Sequence, residues 1–283
     1  MLIVSQEAVC LEEKVTGYYI DGHCHWSLYP VQEAFFQASN RAGVQGFFLG
    51  GYDPSDWLRQ LELARSMPEQ QWFHSFGLHP WWIIEKGEED CQGGFQLLDS
   101  QALKANAIGE CGLDFSRRFP KSTHARQETY FIHQIRLARS LEKPLVLHLV
   151  SAHGKATEIL SEEMGLGTTT QECPGIVHAF TGTRAQASFF LDRGWLLSVG
   201  AGALKTGYRK LKNTLPFIPL DRLVLETDSA SKGIKMPVKP TYTNFYSLQE
   251  IAEGVSSHRP ESALELLQAS TRNLKRMLSN TLQ

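Results

Sequence analysis

Three features of exported and membrane proteins are missing from this 283-residue sequence. No stretch approaches the roughly 18 apolar residues of a membrane-spanning helix. The opening segment "MLIVSQEAVCLEEK" has no basic region and meets acidic residues too early for a secretory signal. The five cysteines are odd in number and irregularly spaced, so they predict neither a disulfide framework nor a C-x-x-C zinc site. We expect a cytoplasmic protein, with no membrane partner and no obligate protein partner evident.

The sequence also lacks an excess of either charge. Its net charge is -2 and its pI is near 6.6, which argues against a protein coated in positive charge for long duplex contacts. There is no internal repeat, low-complexity tract or Pro- or Ser-rich linker. The composition is that of an ordinary globular protein, 42% hydrophobic and 20% charged, long enough for one large core or two modest ones.

Short apolar, β-rich runs alternate with longer helical patterns along the chain. Eight runs are interpreted as strands: "YYIDGHCH", "VQGFFLGG", "QWFHSFGLHP", "NAIGECGLDF", "PLVLHLVS", "PGIVHAFTG", "WLLSVGAG" and "RLVLETDS". This alternation predicts an α/β fold, most simply a single-domain (β/α)8 TIM-like barrel over residues 18–283, after an N-terminal extension at 1–17. Residues 81–104 form a looser region. An open doubly wound sheet would usually carry a Gly-rich phosphate loop after its first strand, and "DGHCHWS" is not one.

Histidines and acids recur where the predicted strands end. His23 and His25 lie two residues apart on the first strand and therefore point to the same face. Strands four, five, six and eight supply Glu110, His148, His178 and Asp228. Taken alone, each histidine could be a hydrogen-bonded core residue, and each acid could cap a helix. A barrel gathers the carboxyl ends of its strands on one rim, so together these residues predict a shared metal site.

Six sequence blocks resemble, in order and approximate spacing, the TatD family of metal-dependent hydrolases. They are "DGHCH", "FGLHPWW", "AIGECGLDF", "KPLVLHLV", "VHAFTG" and "LVLETDS", and the resemblance extends over about residues 19–275. It implies a TIM-like barrel of the amidohydrolase superfamily that hydrolyses phosphodiesters, chiefly in DNA and often from the 3′ end. The last block usually continues ETDSP or ETDAP, whereas this sequence has "ETDSASKGIKMP", which leaves substrate preference open.

The resemblance also implies a ligand set for two divalent ions, with Mg, Mn and Zn as candidates. The implied metal ligands are His23, His25, Glu110, His148, His178 and Asp228. Glu110 would lie between the two metals. His23, His25 and Asp228 would bind one metal, and His148 and His178 the other.

Catalytic and supporting roles follow from this placement. Two divalent ions can activate a water and hold the attacking and leaving oxygens, with Glu110 and Asp228 as the catalytic carboxylates and Asp228 also as general base. Glu226 shares the face of Asp228 and is expected to orient a ligating imidazole, although a buried acid paired with an unknown base is the alternative. Asp114 is expected to position Arg117 or a water.

Three predicted rim loops, 115–121, 203–213 and 229–241, hold ten of the 28 Lys and Arg residues and no acid. Loops are generally polar, but this separation of charge also concentrates an anionic substrate, so we predict single-stranded DNA or DNA strand ends as the partner. His79 and Arg117 are predicted to contact phosphate oxygens. The indoles that follow strands one and three could stack on bases or simply pack, namely Trp26, Trp81 and Trp82.

Two other functions stay open at this point. One is an amidohydrolase that cuts a small-molecule amide, lactone or phosphoester. The two-metal members of that class usually bridge their ions with a carboxylated lysine ending strand four, and this sequence has Glu110 there. The other is a non-catalytic, metal-containing nucleic-acid-binding module, against which the complete ligand set argues.

Overall fold

The computed structural model describes residues 17–28, 36, 39–40, 42–165, 173–229 and 247–279. Over these residues the chain forms one sheet of eight parallel strands in sequential order. The strands are β1 Tyr19–Cys24, β2 Val44–Leu49, β3 Gln71–Phe76, β4 Ala107–Asp114, β5 Leu145–Val150, β6 Gly175–Val177, β7 Leu196–Val199 and β8 Leu223–Leu225. Each lies within a run interpreted as a strand from the sequence, so the predicted (β/α)8 barrel is confirmed.

Helices connect the strands and cover the outside of the sheet. Those described are α1 Pro54–Ser66, α2 Pro80–Glu85, α3 Glu88–Gln101, α4 His124–Ser140, α5 His153–Met164, α6 Arg184–Leu191, α7 Arg209–Thr214, α8 Leu248–Ser256 and α9 Ala263–Leu278. Two of them, α2 and α3, occupy the region that the sequence suggested was loose. Side-chain capping boxes start α6, α8 and α9, which fixes where these helices begin.

The barrel interior is filled by one buried apolar side chain from each strand. This layer consists of Ile20, Phe48, Phe73, Ala107, Val146, Ile176, Leu196 and Val224. Leu274, Met277 and Leu278 of α9 belong to the same cluster, so α9 closes the end of the barrel at which the strands begin. The opposite end, where the strands finish, is thereby left for polar residues.

The barrel closes where β1 meets the segment after β8. The amide of His25 donates to the carbonyl of Ser229 (2.9 Å), and the amide of Asp228 donates to the carbonyl of His23 (2.9 Å). Cys24 and Ser229 form a parallel bridge at the same place. Two residues predicted as metal ligands are thus joined directly by a backbone hydrogen bond.

Several sequence predictions concern residues beyond these ranges. Residues 1–16 of the predicted N-terminal extension and residues 230–241 of the third basic loop lie outside the described residues, so both stay predictions. Among the helices that the structure does describe, none is long and apolar enough to cross a membrane. The four cysteines within the described ranges are buried free thiols, as expected in the absence of a disulfide framework.

Candidate metal centre

Glu110 lies at the centre of the rim where the strands end. Its side chain is 1% exposed. The register between β4 and β5 shifts between Gly109 and Cys111, and such an irregularity changes the direction of the strand residue that lies there. Oε1 is 3.3 Å from His23 Nε2 and 3.1 Å from His25 Nε2. Oε2 is 2.7 Å from His178 Nε2 and 3.4 Å from His148 Nδ1. The two oxygens of one carboxylate therefore face two different pairs of imidazoles.

Asp228 completes the set of six predicted ligands. Its Oδ1 is 3.6 Å from His25 Nε2, and its side chain is 31% exposed, so the carboxylate faces both the cluster and solvent. One ligand atom each from His23, His178 and Asp228 lies within 4.8 Å of the others. The structure thus brings all six residues together around Glu110.

His79 joins the same cluster. Its Nε2 is 3.7 Å from Glu110 Oε2, and it groups with Glu110 and His148. The ring is held from its other side, because Nδ1 accepts a hydrogen bond from the amide of Trp81 (3.0 Å) as the N-cap of α2. The sequence assigned His79 to phosphate binding, and its position beside the ligands leaves that role a prediction. Its place just after β3 was the signal that could have grouped it with the other histidines.

The cluster holds buried polar atoms without hydrogen-bond partners among the described residues. These atoms are both nitrogens of His23, both oxygens of Glu110, Nδ1 of His25, Nε2 of His148, Nδ1 of His178 and Oδ1 of Asp228. Leaving such groups unsatisfied is unfavourable by about 1–3 kcal/mol each, and more for a charge. A divalent cation accepts imidazole nitrogens and carboxylate oxygens together, so the residues fit a metal.

The charge state of the cluster suits a cation as well. Burial acts to raise the pKa of Glu110, but the surrounding imidazoles, that of His178 first, hold this pKa well below its usual range. For His178 burial acts to lower the pKa, and the carboxylates of Glu110 and Glu226 instead raise it well above its ordinary value. The central carboxylate is therefore ionised and ready to bind positive charge.

Two further carboxylates lie close to the outer nitrogens of the imidazoles. Glu226, fully buried, lies 3.8 Å from His178 Nδ1 and accepts a hydrogen bond from the amide of Ala179 (2.6 Å). Asp114 lies 3.9 Å from His148 Nε2 and accepts from Trp81 Nε1 (2.7 Å). The location of Glu226 suits the orienting role predicted for it. Asp114 contacts a histidine and an indole rather than Arg117.

The residues predicted to contact substrate differ in position. Trp26 and Trp82 are buried and pack within the core, so neither offers a free face to a base. Arg117 is exposed and forms no ion pair or hydrogen bond with a described residue, so its phosphate contact stays a prediction. The neighbouring Arg118, which the sequence did not single out, places its guanidinium over the ring of Trp81 at 4.4 Å.

The backbone around the cluster is unusual. Ser151, Ala179 and Asp228, each just after a strand, have φ angles of 55°, 46° and 48°. Non-glycine residues seldom adopt this left-handed conformation, and such strain concentrates at functional sites. Gly50 approaches the ligands closely, because a Cβ atom there would lie 2.5 Å from His23 Cε1 and 2.7 Å from His25 Cε1.

Comparisons with known proteins identify the family. A sequence model described as TatD related DNase matches residues 20–279. The 3'-5' ssDNA/RNA exonuclease TatD of Edwardsiella piscicida is 32% identical over 246 residues, which cover 84% of this chain and 90% of that protein. The uncharacterized metal-dependent hydrolase YjjV of Escherichia coli K12 is 29% identical over 214 residues, 75% of this chain and 79% of that one.

Solved structures show the same similarity. The crystal structure of the TatD homologue YjjV from Escherichia coli K12 superposes with a TM-score of 0.74 at 27% identity, covering 92% of this chain and 97% of that one. A TatD family hydrolase from Entamoeba histolytica, 20% identical, shares the fold with a TM-score of 0.71 over 92% of this chain and 98% of that one. The chain therefore belongs to the TatD-related DNase family, whose members are hydrolases acting on ester bonds.

Proposed function

We propose that this protein is a metal-dependent deoxyribonuclease that shortens single-stranded DNA from its 3′ end, using two divalent ions. The observation that carries the proposal is the division of the Glu110 carboxylate, with Oε1 facing His23 and His25 and Oε2 facing His148 and His178. A carboxylate placed between two donor sets can bridge two cations. Mg, Mn and Zn are the candidate ions, and the abundance of imidazole suits Zn best.

Each residue of the site would have a distinct role. Bound divalent ions would lower the pKa of water and stabilise charge on the phosphoryl oxygens. His23, His25 and Asp228 would hold one ion, His148 and His178 the other, and Glu110 both. Asp228 is partly exposed beside His25, so its carboxylate can accept the proton of an attacking water. Glu226 and Asp114 would fix the rings of His178 and His148.

The names of relatives and the positive charge of the rim loops support a nucleic-acid substrate. Relatives from several bacteria carry the name 3'-5' ssDNA/RNA exonuclease. In the basic loops at 115–121 and 203–213, no Lys or Arg forms an ion pair with a described carboxylate, so these charges are available to an anion. The cytoplasmic location is likewise proposed, supported by the free thiols in the core.

The proposal is tested by hydrolysis of a 5′-labelled single-stranded oligonucleotide, in Mg²⁺, Mn²⁺ or Zn²⁺ and in chelator. The wild type should give a ladder that shortens from the 3′ end, and Glu110→Gln should lose this activity because it removes the central negative charge. Glu89→Gln, an exposed acid in α3, is the matched control and should behave as wild type.

Other outcomes separate the alternatives. Cleavage of a lactone or small phosphoester with no cleavage of DNA would overturn the nuclease proposal in favour of a small-molecule hydrolase. Metal binding and DNA binding without any turnover would instead indicate a non-catalytic nucleic-acid-binding module.

A further inference from the structure

Trp81 connects the metal centre to the protein surface. Its ring centroid is 5.0 Å from that of His79 and 5.7 Å from that of His148, both members of the Glu110 cluster. Its Nε1 donates to Asp114 Oδ2 at 2.7 Å, and its amide donates to His79 Nδ1 at 3.0 Å. The indole is therefore held at Nε1, its backbone is held at the amide, and the ring forms one wall of the site.

Arg118 packs against the same indole. Its guanidinium carbon is 4.4 Å from the centroid of Trp81 and 5.1 Å from that of Phe119, while the side chain as a whole is exposed. It donates no hydrogen bond and forms no ion pair within the described residues. A guanidinium held by ring faces keeps its planar fork of N–H donors for an anion.

The distance from Arg118 to the metal centre indicates the kind of anion that it would bind. Because the guanidinium is 4.4 Å from the indole and the indole is 5.7 Å from His148, the guanidinium lies within about 10 Å of that imidazole. Arg118 forms no ion pair with Glu110 and belongs to none of the candidate ligand groups, so it is placed beside the metal centre rather than in it. A strand whose scissile phosphate occupies the metal centre would bring a flanking phosphate to this position.

We propose that Arg118, supported by Trp81 and Phe119, binds the backbone phosphate next to the scissile one in a single-stranded nucleic acid. This inference rests on the proposed function, and it adds a subsite that requires at least two phosphates in the substrate. A bidentate contact between guanidinium and phosphate is strong and directional, so this subsite fixes the register of the strand.

Kinetics with two substrates test the subsite. Hexathymidylate, (dT)6, offers flanking phosphates, and bis(p-nitrophenyl) phosphate offers only the scissile one. Arg118→Ala should raise KM for (dT)6 about tenfold with kcat within about twofold, and should leave hydrolysis of bis(p-nitrophenyl) phosphate unchanged. Arg118→Lys should recover only part of the loss, since an ammonium has no fork.

Two other arginines are the comparisons. Arg193 also stacks on an aromatic ring, that of Phe189 at 4.0 Å, but it lies beyond the end of α6 near the start of β7. Arg193→Ala should leave both substrates unaffected. Arg117 is exposed and has no ring contact among the described residues, so Arg117→Ala should raise KM for (dT)6 less than Arg118→Ala. An equal rise in Arg193→Ala, or an equal loss with bis(p-nitrophenyl) phosphate in Arg118→Ala, would overturn the proposal.

Binding gives a measurement that needs no turnover. The affinity of the full chain for fluorescein-labelled (dT)6, measured by anisotropy in chelator, should fall about tenfold in Arg118→Ala, with an unchanged thermal melting curve. Equal affinities would contradict the subsite even if the enzyme cleaves DNA. Failure of the wild type to cleave would instead contradict the proposed nuclease function and leave the binding result to be judged by itself.

Discussion

The carboxylate of Asp21 accepts two hydrogen bonds from Thr227, one from its amide at 2.9 Å and one from its hydroxyl at 2.5 Å. Asp21 lies in β1, two residues before His23, and Thr227 immediately precedes Asp228. Asp21 is buried, and its two hydrogen bonds join the first strand to the segment after the last strand. The left-handed backbone of Asp228 (φ 48°) is therefore fixed by a neighbour that is itself anchored.

Removal of the Thr227 hydroxyl should displace Asp228. We expect Thr227→Val to lower the free energy of unfolding by about 1–3 kcal/mol, because a buried carboxylate loses a donor, and to lower kcat about tenfold. Chemical denaturation and single-turnover cleavage measure the two effects. Thr214→Val is the matched control: its buried hydroxyl donates to the carbonyl of Lys210 at 2.9 Å, so stability should fall while kcat is retained. Unchanged kcat in Thr227→Val would contradict the anchoring role.

A methyl group at position 50 should disturb the metal ligands. The added Cβ of Gly50→Ala would lie 2.5 Å from His23 Cε1, a distance that forces the imidazole to move, so bound metal and activity should both fall more than tenfold. Metal per chain, measured by elemental analysis after dialysis, checks this. Gly93→Ala is the control, since nothing lies within 4 Å of its added Cβ in α3 and the change should stabilise the protein by about 0.5–1 kcal/mol. Full metal content in Gly50→Ala would refute the close approach.

His74 should make stability depend on pH. Burial lowers its pKa to about 4, from an ordinary value near 6.5. Between these values the unfolded chain binds a proton that the folded chain does not, so the free energy of unfolding falls as the pH drops from 6.5 towards 4. His74→Gln should remove about 2–3 kcal/mol of this dependence. Urea denaturation of both proteins at several pH values gives the difference, and parallel curves would show that His74 contributes nothing.

The end of α4 offers a stabilising change away from the site. Glu142 follows the helix with φ 53°, the amide of Lys143 donates to the carbonyl of Ala138 (2.9 Å), and that of Glu142 donates to the carbonyl of Arg139 (3.2 Å). This is a Schellman motif, whose left-handed position favours glycine. Glu142→Gly should raise the free energy of unfolding by about 1 kcal/mol, as measured by denaturation. Glu142→Ala keeps the Cβ atom and should gain nothing, so equal stabilities of the two variants would argue against relief of backbone strain.

The architecture and the convergence of the six ligands could be predicted because both depend on periodicity. Alternating faces put His23 and His25 together, and parallel strands bring Glu110, His148 and His178 to one rim whatever the loops do. By contrast, α3 was missed. Its acidic first turn and the pair Gly93–Gly94 interrupt the apolar repeat on which a helix assignment depends.

Contacts made by loops could not be predicted from the sequence. Nothing in "SRR" says which of Arg117 and Arg118 turns towards Trp81, because a loop has no fixed period of side-chain direction. His79 lies beside Glu110 because it also caps α2, and a cap geometry depends on where the helix starts in space. The bonds between Asp21 and Thr227 join residues that meet only when the barrel has closed.

That closure has a consequence for the nascent chain. During synthesis the N-terminal part of a protein emerges first, so His23 and His25 leave the ribosome long before Asp228 is made. Glu110, His148 and His178 come from the neighbouring strands β4, β5 and β6, but all six predicted ligands are together only once β1 has met the segment after β8. An incomplete or truncated chain therefore carries most of the ligands but not the assembled centre. For the proposed hydrolase, the order of translation would delay activity until the segment after β8 is in place.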